Sequence, residues 1–243
     1  MTLLGKSAAD RVKVLERYPD LNRMPTQLVY ELALNRAEQG NYEAAMDLFK
    51  NRFFGREEGG TNVRQVWIEV NLQHALELAK GNRCKDALAV TKSLGSPVSG
   101  LVFTQDGLQP FLNSARGSFL LGEVSLSCGQ EKDAREWYRR STQATEPSEI
   151  VWVWASARKL DAFDSAQWRA RLTKALSQAE SNLGNGTARG WWLYTTGVLQ
   201  IALGEREKGK ASLHEALLVP EGRMSYHLTR LALSGATPQA KPQ

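Results

Sequence analysis

The sequence predicts an all-α protein, a right-handed α-α superhelix of about five to six helix hairpins. Three observations predict it. Helix is the only hydrophobic period that recurs along the 243 residues, glycines interrupt it at similar places, and small residues stand at set distances from those glycines.

Residues 7–18 read as a first helix, apolar at Val12, Val14 and Leu15, either a cap at one end or the second half of an incomplete hairpin. A hairpin over 25–52 follows. Its first helix carries Leu28, Leu32, Ala33 and Ala37 at helical spacing, with Val29 and Tyr30 widening the stripe. Pro25 suits a first helical turn, and Gly40 suits a stop, because glycine accepts the left-handed conformation without steric cost. Ala45, Leu48 and Phe49 then share one face of the second helix.

The same unit recurs over 63–94, 108–143 and 188–218, with turns at Gly81, Gly129 and Gly204. Ala45, Ala134 and Gly209 stand five residues after three of the four turn glycines, where small side chains let antiparallel helices approach. Phe49, Val90, Tyr138 and Leu213 stand nine residues after them, and Gly122 and Gly197 seven residues before two of them. Residues 148–183 form a degenerate hairpin with helices over 148–160 and 166–183, and with Trp152, Trp154, Phe163, Trp168, Leu172 and Leu176 as core candidates. A last helix over 223–233 would cap the other end, as repeat arrays require. The repeat domain spans 1–233. Residues 95–107 read as a surface loop, and 234–243 as a tail too polar and proline-rich to pack.

These offsets resemble the tetratricopeptide repeat, a helix–turn–helix unit of about 34 residues. The nearest copies are 118–146 and 193–220, each ending near a proline, Pro147 or Pro220. The turn glycines are 41, 48 and 75 residues apart, so loops and a degenerate unit intervene. Arg52, Phe54, Glu58, Gly59 and Gly60 also resemble a segment in large bacterial proteins that carry a β-rich domain of unknown function before a tetratricopeptide array. Glu57, Thr61 and Asn62 depart from that segment. This resemblance implies an alternative role, as an accessory module of a carbohydrate-active β-rich partner.

Composition narrows the classes further. The net charge is +5 and the pI about 9.2, but the basic residues are scattered among Glu and Asp, which argues against nucleic acid. No run of about eighteen apolar residues and no secretory signal is visible, so neither a membrane span nor export is expected. The expected location is cytoplasmic, with Cys84 and Cys128 as half-buried free thiols in a reducing compartment.

No catalytic, cofactor or metal site is expected. Residues 204–211 come close to a phosphate-binding loop, but Ala211 stands where Ser or Thr must hold Mg²⁺, and helix rather than strand precedes it. His74, His214 and His227 lack ligands at metal-binding spacing. Glu57 and Glu58 would diverge, and no second carboxylate pair supports acid–base work. Asn185-Gly186-Thr187 reads as a turn.

A protein or peptide partner is therefore expected. In tetratricopeptide arrays the second, fifth and ninth repeat positions face the concave surface. Counted back from each glycine these are Gln27, Tyr30, Leu34; Ile68, Asn71, Ala75; Arg116, Phe119, Glu123; and Trp191, Tyr194, Val198. The expected contacts are Tyr30, Asn71, Arg116, Phe119, Glu123, Trp191 and Tyr194, an aromatic row in which only Asn71 and Arg116 are of the type that grips acidic chain ends, and both stand at the wrong positions for it.

Overall fold

The structure is a computed structural model that describes residues 6–54, 61–95, 100–102, 108–161, 163–236 and 238. Among the described residues the chain is all-helical. Thirteen α-helices occur: α1 (Ala8–Leu15), α2 (Thr26–Glu38), α3 (Tyr42–Asp47), α4 (Val63–Lys80), α5 (Cys84–Ser93), α6 (Gln109–Leu112), α7 (Ala115–Ser127), α8 (Glu131–Ser141), α9 (Ile150–Ala157), α10 (Ser165–Leu183), α11 (Arg189–Ala202), α12 (Arg206–Ala216) and α13 (Arg223–Leu233). A 3-10 turn spans Leu21–Arg23. The described residues hold no strand; an isolated bridge joins Lys50 and Leu101, where the Asn51 amide donates to the Gly100 carbonyl at 2.7 Å. The chain divides into two compact units, residues 1–113 with 120–134, and 114–119 with 135–243.

One stop signal ends α2, α4, α7 and α11. A residue in the left-handed region follows each helix, namely Gly40, Asn82, Gly129 and Gly204. The next amide then reaches back five residues: Asn41 to Arg36, Arg83 to Leu78, Gln130 to Ser125 and Glu205 to Gln200, at 2.8–2.9 Å. This satisfies a carbonyl that the helix end would leave bare. The second turn is thus made by Asn82 and not by Gly81, whose φ is −82°. Asparagine can do this because its short polar side chain tolerates the left-handed region.

Counting from the left-handed residue brings all four hairpins into one register. The second helix starts two residues later in each, at Tyr42, Cys84, Glu131 and Arg206. Five residues later stand Ala45, Ala87, Ala134 and Gly209, all buried. Seven residues earlier stand Ala33, Ala75, Gly122 and Gly197, also buried. Each of these four hairpins therefore carries a buried small residue at matching positions on both helices. The α11–α12 crossing is the tightest. A Cβ on Gly209 would lie 2.6 Å from the Gly197 carbonyl oxygen, and one on Gly197 would lie 2.8 Å from the Gly209 carbonyl oxygen.

In the first unit, α4 is the central helix and packs against α2, α3, α5 and α6. It is buried nearly all round, from Val63 to Ala79, so its sequence shows little amphipathic contrast. Helix α1 docks on α2 through a buried polar network. Arg11 is only 4% exposed, and its guanidinium donates to Asn35 Oδ1 at 2.6 Å and pairs with Glu38 at 2.6 Å. The expectation of free thiols is corrected here. Cys84 and Cys128 form a disulfide, because the stop of α7 sits beside the first residue of α5, with their Cα atoms 5.3 Å apart.

In the second unit α11 takes the central place, against α9, α10, α12 and α13. Two glutamates close this unit from a distance. Glu149 accepts hydrogen bonds from the Ala115 and Arg116 amides at the start of α7. Glu221 accepts from the Trp191 amide in the first turn of α11, at 3.4 Å. Both follow the proline that ends a hairpin, as Pro147-Ser148-Glu149 and Pro220-Glu221, and both reach an Ala-Arg-Gly at a helix start, residues 115–117 and 188–190. A carboxylate there meets unpaired amides and the positive end of the helix dipole. Gly190 admits the second glutamate, since a Cβ there would stand 2.8 Å from Glu221 Cβ.

Candidate interaction surface

The seven residues expected to line a groove meet different fates. Tyr30 is 0% exposed and stacks on Phe54 with ring centroids 5.7 Å apart. Tyr194 is 2% exposed and packs against Trp191 at 5.3 Å. Asn71 is buried, and its side-chain amide donates to the Trp67 carbonyl at 2.8 Å. Its place in the row rested on Gly81 as the turn residue. The left-handed residue is Asn82, so the register moves by one, to Glu69 and Leu72, which are also buried. These three expected contacts are buried and packed within their own units. Glu123, in the first unit, is half-buried, as are Arg116, Phe119 and Trp191 in the second.

Arg116 and Phe119 belong to one cluster. They project from the first turns of α7 onto Trp152 of α9. The guanidinium of Arg116 lies 5.2 Å from the Trp152 ring centroid, and the Phe119 ring is tilted against Trp152 at 5.6 Å and Tyr138 at 6.0 Å. Trp152 and Tyr138 are 4% and 2% exposed, so they form the floor, with Arg116 and Phe119 partly open above them. A buried hydroxyl chain fixes that floor: Ser156 donates to Ser141 at 2.7 Å, and Ser141 to the Ala115 carbonyl at 2.9 Å. Glu149 stands beside Arg116. Burial pushes its carboxyl above the usual range, while its two backbone amide bonds and the Arg116 charge pull the other way. The cluster can present a planar cation and a ring edge against an aromatic base, a surface that suits apolar and aromatic peptide side chains.

Cation–ring stacking is common in this unit. Arg140, Arg158 and Arg171 lie over Trp137, Trp154 and Trp168 at 4.6, 4.8 and 4.1 Å. Much of the tryptophan content is thus spent on packing beneath arginine stems. Trp191 and Trp192 are both half-buried.

The segment that resembles the β-rich bacterial proteins is structural where it is described. Arg52 donates to the Met24 carbonyl at 2.8 Å and to the Leu21 carbonyl, pinning the 3-10 turn. Phe54 is buried between Tyr30 and Phe49. Phe53, between them, is 77% exposed. Glu57, Glu58, Gly59 and Gly60 lie outside the described residues, as do 96–99 and 103–107 of the expected loop and most of the tail from 237 onward.

Of the histidines, His214 is exposed, His227 is buried in α13, and His74 stacks on Tyr42. Among the described residues no group of three or more His, Cys, Asp or Glu side chains is placed to hold a metal ion, and no helix is long and apolar enough to cross a membrane. Glu149, Glu221 and Trp152 were absent from the expected site. A proline followed within two residues by Glu, after each of two hairpins, was the signal available for the glutamates. Comparison with protein families, with curated proteins and with solved structures finds no match.

Proposed function

We propose that this chain is a non-catalytic, tetratricopeptide-type interaction module whose hairpins stack as a superhelix and hold a peptide or domain of a partner protein. The common register of four hairpins, with small residues at every crossing, supports the repeat reading. The observation that carries the binding role is the Arg116–Trp152–Phe119 cluster. It places two half-open side chains of the types that dominate interface energetics on a rigid, buried floor. Nothing described at Arg52 or Phe54 favours the carbohydrate-accessory role, since both are absorbed by packing. The disulfide fits an oxidising compartment better than the cytosol.

The test is affinity capture with the intact chain beside Arg116→Ala/Phe119→Ala, after matching helix content by circular dichroism. A binding protein retained by the original and reduced about tenfold or more in the variant supports the cluster as the contact, the scale of one or two hot-spot side chains. Retention of the same proteins by both chains sinks it.

A further inference from the structure

A second polar site lies in the first unit, between the stop of the first hairpin and the end of α4. It is an open pocket of about 410 Å³, large enough for one long side chain. Gly40 and Tyr42 form one side, and His74, Glu77 and Arg83 the other, with Glu43 at the rim. The Tyr42 ring stacks on the His74 ring with centroids 4.8 Å apart and planes 14° apart, giving the pocket a flat aromatic wall. The Tyr42 hydroxyl donates to Glu77 Oε2 at 2.9 Å, which fixes that carboxylate beside the wall. Gly40, at φ +76°, leaves the carboxylate open: a Cβ there would sit 3.4 Å from Glu77 Oε1.

The charges do not balance within the pocket. Arg83, its sole lining cation among the described residues, is already paired with Asp86 at 2.7 Å. No described cation pairs with Glu43 or Glu77. Burial lowers the His74 pKa, so the ring is neutral near pH 7 and adds no compensating charge, and its Nδ1 is enclosed with no hydrogen-bond partner. Burial, then the Glu77 bond, raises the Tyr42 phenol, so it stays a donor and keeps Glu77 in place. Two carboxylates beside an aromatic face form the arrangement that recognises an organic cation, since the carboxylates take the N–H donors and the ring faces take the charge.

We infer that this pocket binds the guanidinium or ammonium group of an Arg or Lys side chain presented by a peptide, through Glu77 and Glu43 against the Tyr42–His74 wall. The peptide source rests on the interaction reading above; the recognition chemistry does not, and it uses no residue of the Arg116 cluster.

The experiment titrates the intact, oxidised protein with Nα-acetyl-arginine amide, Nα-acetyl-lysine amide and uncharged Nα-acetyl-norleucine amide, observing backbone amide and His74 imidazole signals by NMR. Saturable shifts centred on Tyr42, His74 and Glu77 are expected with either cation and not with norleucine. Glu77→Gln, which keeps the acceptor shape, should weaken the cation about tenfold, the scale of one charge-assisted hydrogen bond. Glu43→Gln should weaken it less, and Glu180→Gln, an exposed carboxylate on α10, not at all. Equal shifts with norleucine, no shift with either cation, or unchanged binding in Glu77→Gln overturns the proposal. The Arg116→Ala/Phe119→Ala chain should bind the cations normally, so loss of the partner in capture and loss of the pocket here are separate results.

Discussion

The α4–α5 and α11–α12 hairpins share a turn register and a pair of small crossing residues, yet they are held in different ways. In α11–α12 two glycines bring the backbones together, and a Cβ on either would meet a carbonyl oxygen at 2.6–2.8 Å. In α4–α5 the crossing residues are alanines, Ala75 and Ala87, both 0% exposed, and a disulfide ties the first residue of α5 to the end of α7. Near the turns the first unit relies on side-chain contacts, Tyr42 to Glu77 and Arg83 to Asp86, and these leave an open pocket between them. Backbone-to-backbone packing spends the available space on dispersion contacts; side-chain bridging leaves polar cavities that a ligand can enter.

The largest effect expected is on the first unit. Replacing both cysteines, Cys84→Ser with Cys128→Ser, opens a link between residues 44 apart in sequence and should cost about 2–4 kcal/mol in urea unfolding. Alkylation of the native, unreduced chain should label neither cysteine. Unchanged stability, or two labelled thiols, would return both residues to the free state that composition alone favoured. Exchanging the crossing residues tests the difference between the hairpins directly. Gly209→Ala should destabilise by about 1–3 kcal/mol through overpacking against a carbonyl that cannot retreat. Ala87→Gly should cost only about 1 kcal/mol, mostly as helix propensity. A Gly209→Ala chain with an unaltered unfolding curve would show that the helices separate freely at that point.

The smallest effect is a pH dependence at Glu149. Burial raises its folded-state pKa, so the folded chain holds the proton to higher pH than the unfolded chain does. Its contribution to stability is therefore full below the unfolded carboxyl range and is lost as pH rises through the raised folded value. Glu149→Gln removes that titration and keeps an acceptor for the Ala115 amide. Relative to the original chain the variant should gain stability as pH rises over the range above an ordinary glutamate pKa, about 4.3. A difference that is flat across this range, or of opposite slope, would mean that the amide bonds outweigh burial.

The hairpin turns were legible because α2, α4, α7 and α11 are each followed by a residue suited to the left-handed stop. The second turn shows the limit of that signal. Gly81 and Asn82 are adjacent, and glycine is the stronger prior, but the amide of Arg83 closes on Leu78 only when Asn82 takes the left-handed place. That shift of one residue moved Asn71 out of the expected row and revealed Ala87 as the fourth small crossing residue. The other losses from the row have a different cause. Tyr30 and Tyr194 stand on helices buried nearly all round, and in such helices spacing cannot separate an inward face from an exposed one. Arg116 and Phe119 stay half-open, but their floor comes from Trp152, on a helix more than thirty residues away in sequence.

By itself, the sequence determined the all-helical class, the stops at Gly40, Gly129 and Gly204, the small residues beside three of the turns and the aromatic character of the cores, because propensity, capping and packing volume are local properties written residue by residue. Tertiary structure alone decided the Cys84–Cys128 bond, the reach of Glu149 and Glu221 to helix starts about thirty residues back, the burial of Tyr30 and Tyr194, and the convergence of Tyr42, His74 and Glu77 on one pocket. Each depends on which helices become neighbours, and adjacency in space is set by the packing of whole faces rather than by any short stretch of chain.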